Sequence, residues 1–335
     1  MPSVYTWEEV LLSAEDFSFN STIVASRDHH PPAGSLAWPN PNAAQGQGQM
    51  TSAVELWLPI PGTSDMNQTF AQWCFSTQVF QSLNMVSEVA WYRRGAGLGE
   101  NNLGALVWQL NDIWQGVSWS SVEYSGRWKV LNYGLANIFK PVTVYPFWTP
   151  TNQSLDVLVI SDRLESVKGT AQLTWFDWAG KEISSNKMSF SVPPLGNSRL
   201  LSATGLKTII PRGRRPADVW LLLTTTSRTN LGIVTSEQYV GDSIFFASNT
   251  QQIYGFFDLQ FTPVPLSNST LVDPQIHLER RKDFTFTLSA KGGVSVFTWM
   301  DHPVGTVGIF VDAKSGQPSN GFFLIPGQDR TRTLF

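Results

Sequence analysis

The chain has a single cysteine, Cys74, in 335 residues. No internal disulfide can form, and no cysteine cluster can hold a metal. Charged residues make up only 15% of the chain, and the net charge is −3. A dedicated nucleic-acid binder carries an excess of Lys and Arg, so that partner class is excluded. No apolar run approaches the roughly 20 residues that a membrane-spanning helix needs, so no membrane partner is expected. The amino terminus, MPSVYTWEEV, lacks the basic segment and apolar stretch of a secretory signal. A glycine-rich phosphate loop after a strand is also missing. Residues 95–99 (GAGLG) follow a helix and read as its terminator, so no nucleotide or other cofactor is expected.

What the chain does have is aromatic surface: 14 Trp, 21 Phe and 7 Tyr. Trp offers a wide apolar face with one polar handle, which suits large cores and sugar-stacking sites alike. Four Asn-x-Ser/Thr triplets, at Asn20, Asn67, Asn152 and Asn268, are candidate glycosylation sites.

The length suggests two or three units. Residues 23–66 carry Pro, Gly and Asn at short intervals and read as a long irregular stretch. Within 70–94, Phe75, Val79, Leu83, Val86 and Ala90 step by three or four and predict a helix. Arg93 and Arg94 then favour the negative end of its dipole, and Gly95 stops it. Residues 103–110 (LGALVWQL) are apolar on both faces except Gln109, the pattern of a buried parallel strand. Trp128, Leu131, Leu135 and Phe139 predict a second helix, ended by Pro141. After Pro141 short alternating runs take over, at 155–161, 171–178, 187–192, 219–224 and 253–261, then at 284–289, 294–299 and 307–311. Runs of this kind between turn clusters predict β-sandwiches. The boundaries expected are 1–141, 142–267 and 268–335, the last sandwich being incomplete.

The densest chemical constellation is 108–119 (WQLNDIWQGVSW). A buried strand that ends in polar groups and tryptophans is how a (β/α) barrel builds its catalytic face. Trp108 can stack on a sugar ring, while Asn111, Asp112 and the Trp119 loop can bond or shape around its hydroxyls. The plainer reading is that Trp114 and Trp119 pack the loop and that Asp112 caps a turn or pairs with Lys or Arg. Glu8, Glu9 and Glu123 are the nearest carboxylates. Glu8 and Glu9 are adjacent and point apart, and read as a first helical turn before Val-Leu-Leu. His29 and His30, also adjacent, have no further ligand at metal spacing, so no metal site is expected. Cys74 reads as a core residue, and Arg212, Arg214 and Arg215 as a solvated turn.

The string GALVWQLNDIWQGVSWSSVEYSGRWKVLNY (104–133) resembles the carboxy-terminal barrel segment of the β-mannosidases of glycoside hydrolase family 2. Arg27-Asp28-His29-His30, Ser76-Thr77-Gln78 and Trp91-Tyr92-Arg93-Arg94 agree with that family in order and spacing. Weaker strings, Thr298-Trp299 and Asn320-Gly321-Phe322-Phe323, resemble its final domain. The fold class implied is α/β plus all-β: the C-terminal part of a (β/α)8 TIM barrel followed by two immunoglobulin-like β-sandwich domains. The resemblance further implies an exo-acting retaining glycosidase that removes terminal β-D-mannose from β-mannoside oligosaccharides, secreted, and able to form a homodimer. Trp108 would wall the terminal-sugar subsite, with Asn111, Asp112 and Trp119 shaping it and His29 and His30 lining the cleft.

Retaining glycosidases need two carboxylates about 5 Å apart. In the family the nucleophile lies a few residues before a Pro-Ser-x-x-Thr-Trp segment, here Pro2-Ser3-Val4-Tyr5-Thr6-Trp7. Both carboxylates and the signal peptide are therefore expected upstream of Met1, and the chain is expected to be inactive alone. Two alternatives stay open: another family 2 glycosidase of the β-galactosidase or β-glucuronidase type, and a non-catalytic carbohydrate-binding protein.

Overall fold

The computed structural model describes every residue except 19–20, 29–46, 59, 63, 103, 241–273 and 282. Three short helices, α1 (Val4–Trp7), α2 (Thr22–Ser26) and α3 (Gln47–Trp57), precede the long α4 (Met66–Ala96), and α5 (Val130–Ile138) follows. The Asp65 carboxylate starts α4 by accepting from the Asn67 and Gln68 amides at 2.9 and 3.2 Å, satisfying donors that have no partner within the helix. From Trp73 to Ala96 no residue of α4 is exposed. Its first half packs Phe70, Trp73, Cys74 and Val79 against Trp7, Val54 and Leu58. The second half packs Val89 and Ala90 against Leu131, Leu135 and Ile138 of α5 and against Tyr145 and Phe147 beyond it. At the crossing, Gly134 of α5 lies against Ser82 and Val86, where an added Cβ would clash.

Three expectations need correction here. The stretch 23–66 is not uniformly irregular, because α2 and α3 lie within it. Val54 and the following Leu58 are apolar one helical turn apart and bury against α4, which stabilises α3 despite its Gln-Gly-Gln start. The long helix runs through Gly95, and Arg93 does not simply face its dipole. It is buried, donates to the Lys140 carbonyl at 3.1 Å just past α5, and meets Asp162 at 2.6 Å. The third concerns 103–110. Among the described residues no strand lies within 1–141, and 104–110 has no ladder partner along its length. Its side chains alternate: Ala105 and Val107 pack on the core beside Val89 and Leu131, whereas Leu106, Trp108 and Leu110 are exposed. An extended segment becomes a buried strand only where neighbours take its backbone groups and cover both faces.

The first sandwich holds β1 (Val142–Thr149), β2 (Ser154–Ser161), β3 (Val167–Asp177), β4 (Glu182–Val192), β5 (Asn197–Thr204), β6 (Val219–Thr229) and β7 (Gly232–Val240). Two antiparallel sheets, ordered β1-β2-β5 and β4-β3-β6-β7, face each other. Val144, Val157 and Val159 from one sheet meet Val167, Leu221 and Leu223 from the other in a core that is almost wholly buried. β1 contains Pro146, which the ladder tolerates because β1 is an edge strand. A side-chain contact ties that strand to the other sheet: the Ser236 hydroxyl of β7 lies 2.8 Å from that of Thr143 and accepts from the Val144 amide at 3.2 Å.

The last sandwich comprises β8 (Ile276–Arg280), β9 (Thr285–Ala290), β10 (Ser295–Thr298), β11 (Phe310–Asp312), β12 (Phe322–Leu324) and β13 (Arg330–Leu334). They form sheets ordered β11-β13-β9-β8 and β10-β12. The two sandwiches meet along an aromatic seam of Phe176, Trp178, Trp220 and Phe323, with Trp178 and Trp220 stacked at 6.2 Å and Phe323 tilted against Trp220 at 5.0 Å. The expected strand at 253–261 lies outside the described residues.

Candidate functional site

Residues 109–129 close a loop by short backbone pairings. The Val122 amide donates to the Leu110 carbonyl at 2.8 Å, the Asp112 amide to the Val122 carbonyl at 2.9 Å, and the Lys129 amide to the Ser121 carbonyl at 3.0 Å. The excursion between them carries Trp114 and Trp119. Arg27 holds its base: the guanidinium lies 4.8 Å from the Trp114 ring and donates to the Gln115 carbonyl at 3.0 Å, while its own carbonyl accepts from Val117 at 2.9 Å. Gly126, at φ +85°, turns the chain so that the Glu123 amide reaches the Arg127 carbonyl at 2.8 Å.

The two faces of this loop have opposite character. Outward point Trp108, Leu110, Ile113 and Trp114, with Trp108 72% exposed. Asn111 is exposed beside them, and its side-chain amide donates to the Asp112 carbonyl at 3.0 Å. Inward lies a buried cluster of charges. Lys129 is fully buried, with its ammonium 3.0 Å from the Asp112 carboxylate and donating to the Ser120 hydroxyl at 2.7 Å. Ser118 donates to the other Asp112 oxygen. Glu123, also buried, accepts from the Ser3 amide at 2.7 Å, from Gln78 of α4 at 3.1 Å and from the Thr6 hydroxyl, with Arg127 at 3.8 Å.

Burial pushes the Glu123 carboxyl above the ordinary glutamate range, against the pull of Lys129, of the Thr6 and Ser3 hydrogen bonds and of Arg127. Burial, with the Glu123 charge adding to it, raises the Cys74 thiol well above its usual value, which keeps it protonated and unreactive.

The expected site residues therefore separate. Trp108 and Asn111 sit on the open face. Asp112 is buried at 4% exposure, with its carboxylate engaged by Lys129 and Ser118. Trp119 is half-buried, and its carbonyl accepts from Gln81 of α4 at 2.7 Å. His29 and His30 lie outside the described residues. Of the candidate glycosylation sites, Asn67 is exposed at the start of α4 and Asn152 in the β1–β2 turn, while Asn20 and Asn268 lie outside the described residues.

Glu8 and Glu9 are exposed, but they follow α1 rather than open a helix. The turn that the Val10 and Leu11 amides close on the Trp7 carbonyl encloses them and does not continue, so they lie at a C-terminal end. Arg212 and Arg214 are exposed and Arg215 pairs with Asp218 at 2.7 Å. Sequence reasoning missed the inner cluster of Gln78, Arg127 and Lys129. A separate cavity of about 1050 Å³ lies between α5, β7 and the last sandwich, lined by Asn137, Lys140, Glu237 and Arg330 among others. Among the described residues no group of three or more His, Cys, Asp or Glu is placed to hold a metal ion, and no helix is long and apolar enough to cross a membrane.

Comparison with known proteins bears on this geometry. Residues 153–239 match a family described as Mannosidase Ig/CBM-like domain, and residues 271–334 match one described as Ig-fold domain. Over 98% of its length the chain is 40% identical to β-mannosidase A of Aspergillus terreus, and it covers 33% of that protein. To β-mannosidase A of Aspergillus oryzae it is 39% identical, again over 98% of this chain and 34% of the relative. The chain thus spans about a third of the length of the curated relatives it matches. Among solved structures, the β-D-mannosidase of Dictyoglomus thermophilum superposes with a TM-score of 0.65 at 15% identity, over 100% of this chain and 34% of that one. An exo-chitosanase of Amycolatopsis orientalis superposes at 0.56 and 18% identity, over 99% and 38%. At those identities the superpositions speak for the fold alone. The resemblance to the β-mannosidases extends over nearly the whole chain.

Proposed function

We propose that this chain supplies the carboxy-terminal part of a secreted β-mannosidase, a retaining glycosidase that releases terminal β-D-mannose from β-mannoside oligosaccharides. The observation that carries this reading is the identity of about two residues in five with β-mannosidase A over nearly the whole chain. In the complete enzyme residues 1–141 would form the last units of a (β/α)8 barrel, with 104–110 becoming a strand once neighbours flank it. The sandwiches at 142–267 and 268–335 would buttress that barrel and pair subunits. The carboxylates nearest this loop among the described residues do not suit the retaining mechanism: Glu8 and Glu9 are adjacent, and Glu123 is sealed inside and bonded on both oxygens. The nucleophile and the acid/base would come from the remaining two-thirds of such an enzyme.

In this reading Trp108 is the sugar platform. Its exposed indole face can stack on the apolar side of a pyranose, with Asn111 beside it for a hydroxyl. Asp112 and Trp119 act from behind, holding the loop. His29 and His30 would line the same cleft, and glycans would occupy Asn20, Asn67, Asn152 or Asn268.

The test compares mannoside binding by the chain and by its Trp108→Ala variant, followed by tryptophan fluorescence. About tenfold weaker binding in the variant is expected, the loss of one stacking contact. Equal affinities would remove Trp108 from the site. Hydrolysis of an aryl β-mannoside by the chain alone would overturn the assignment of both carboxylates elsewhere. Saturable binding of galactosides or glucuronides in preference to mannosides would favour a different family 2 specificity. The open aromatic face without a usable carboxylate pair also fits a purely carbohydrate-binding role, and Trp108-dependent binding by a native protein that lacks hydrolytic activity at full length would favour it.

A further inference from the structure

The loop that carries Trp108 is anchored by a residue of the last sandwich. Asp301 follows β10, and one of its oxygens accepts from the Arg127 guanidinium while the other accepts from the Ser3 hydroxyl at 2.5 Å. Its carboxylate is also held by its own neighbour, the His302 amide, at 2.8 Å. Arg127 is 5% exposed and stands between two carboxylates, Asp301 on one side and Glu123 at 3.8 Å on the other. It also lies 5.5 Å from the Tyr5 ring. Ser3 gives its hydroxyl to Asp301 and its amide to Glu123. Gln78 closes the circuit: its amide donates to Glu123 and its oxygen accepts from the Val130 amide that opens α5. Beside this polar contact, Trp299 packs edge-on to Tyr133 at 5.4 Å and lies 6.1 Å from Phe75 of α4.

A buried guanidinium is held in place by the partners its donors find: Asp301 takes the Nη1 donor of Arg127, while Nε has only the Glu123 carboxylate at 3.8 Å. Without Asp301, Arg127 keeps one partner at a longer distance, and the end of the 109–129 loop loses its outer anchor. We propose that Asp301 is a positioning residue: from the last sandwich it fixes Arg127 and Ser3, and through them Glu123 and the loop that presents Trp108. The last sandwich is then a working part of the sugar site and not an appendage. The importance of the loop for sugar rests on the function proposed above, whereas the anchoring itself does not.

Amide hydrogen exchange followed by mass spectrometry tests the anchoring directly. Asp301→Asn removes the charge and keeps the shape, and Ser3→Ala removes only the hydroxyl contact. In Asp301→Asn the amides of Asp112, Ser121, Val122 and Lys129 are expected to exchange about tenfold faster or more, with β3 and β6 unchanged. Ser3→Ala gives a smaller acceleration at the same amides. Acceleration confined to 285–334, or none in either variant, would overturn the proposal. Should Asp301→Asn not fold, Ser3→Ala decides it by the same criterion. Mannoside titration of the same variants separates the two readings. Loosened loop amides with unchanged mannoside affinity would leave the anchor standing and sink the role of the loop in sugar binding.

Discussion

The first sandwich and the segment 104–129 both contain apolar extended runs and end in opposite states. β3 and β6 pair along nearly their full lengths and bury Val167, Leu221 and Leu223 in a core without charge. Along 104–110 successive side chains also point to opposite sides, yet Leu106, Trp108 and Leu110 face outward. The charges Asp112, Glu123, Arg127 and Lys129 go inside. The sandwich is held by area removed from water, and the loop by a few buried pairs that tolerate no missing partner. Periodicity says which side chains share a face. Whether that face is covered depends on what lies beside it.

Substitutions can break this contrast or sharpen it. Lys129→Ala leaves Asp112 buried without its cation, and a loss of about 3 to 5 kcal/mol is expected in denaturant unfolding. Replacing the pair together, Lys129→Met with Asp112→Leu, should restore most of it; a double variant as weak as the single one would mean that the charges are not what holds the loop. In the sandwich, Leu223→Ala opens a cavity in a fully buried site and should cost about 2 to 4 kcal/mol, with no partner change able to rescue it.

A smaller effect is set by pH. Because burial raises the Glu123 carboxyl, the folded state keeps a proton that the unfolded chain has already released. Between the ordinary glutamate value and the raised one, stability therefore falls as pH rises. Glu123→Gln removes this slope, so melting temperatures of the two proteins should diverge across that range. Parallel curves would mean that Glu123 ionises in the folded protein as it does in water. The smallest effect belongs to Leu106→Ser: at a fully exposed position it should alter stability by less than about 0.5 kcal/mol while reducing self-association in light scattering.

Much of the architecture was legible because period and burial coincide. β2, β3, β4 and β6 stand where two-residue alternation put them, and α4 and α5 where steps of three and four did. β1 was hidden by Pro146, and α3 by its Gln-Gly-Gln start. Family strings pointed to the loop at 108–119 and to Trp108 on its open face. What no periodicity could give is the interior of that loop. Glu123 meets Ser3 across 120 positions and Arg127 meets Asp301 across 174, and a charge reads the same in sequence whether solvated or sealed. Asp112, read as a group for sugar hydroxyls or as a partner for Lys or Arg, spends its carboxylate on Lys129 for the same reason.

The indoles of Trp178 and Trp220, stacked at 6.2 Å and 25°, have one more consequence. Chromophores that close and that rigidly oriented share their excited states, which produces a paired circular-dichroism band of opposite signs. The two rings come from a single sandwich, and Phe323 of the other lies 5.0 Å from Trp220 at an interplanar angle of 53°. A paired band in the near ultraviolet is the expected signature of the two indoles, and its flattening in Phe323→Ala would show that the contact between sandwiches helps to orient Trp220.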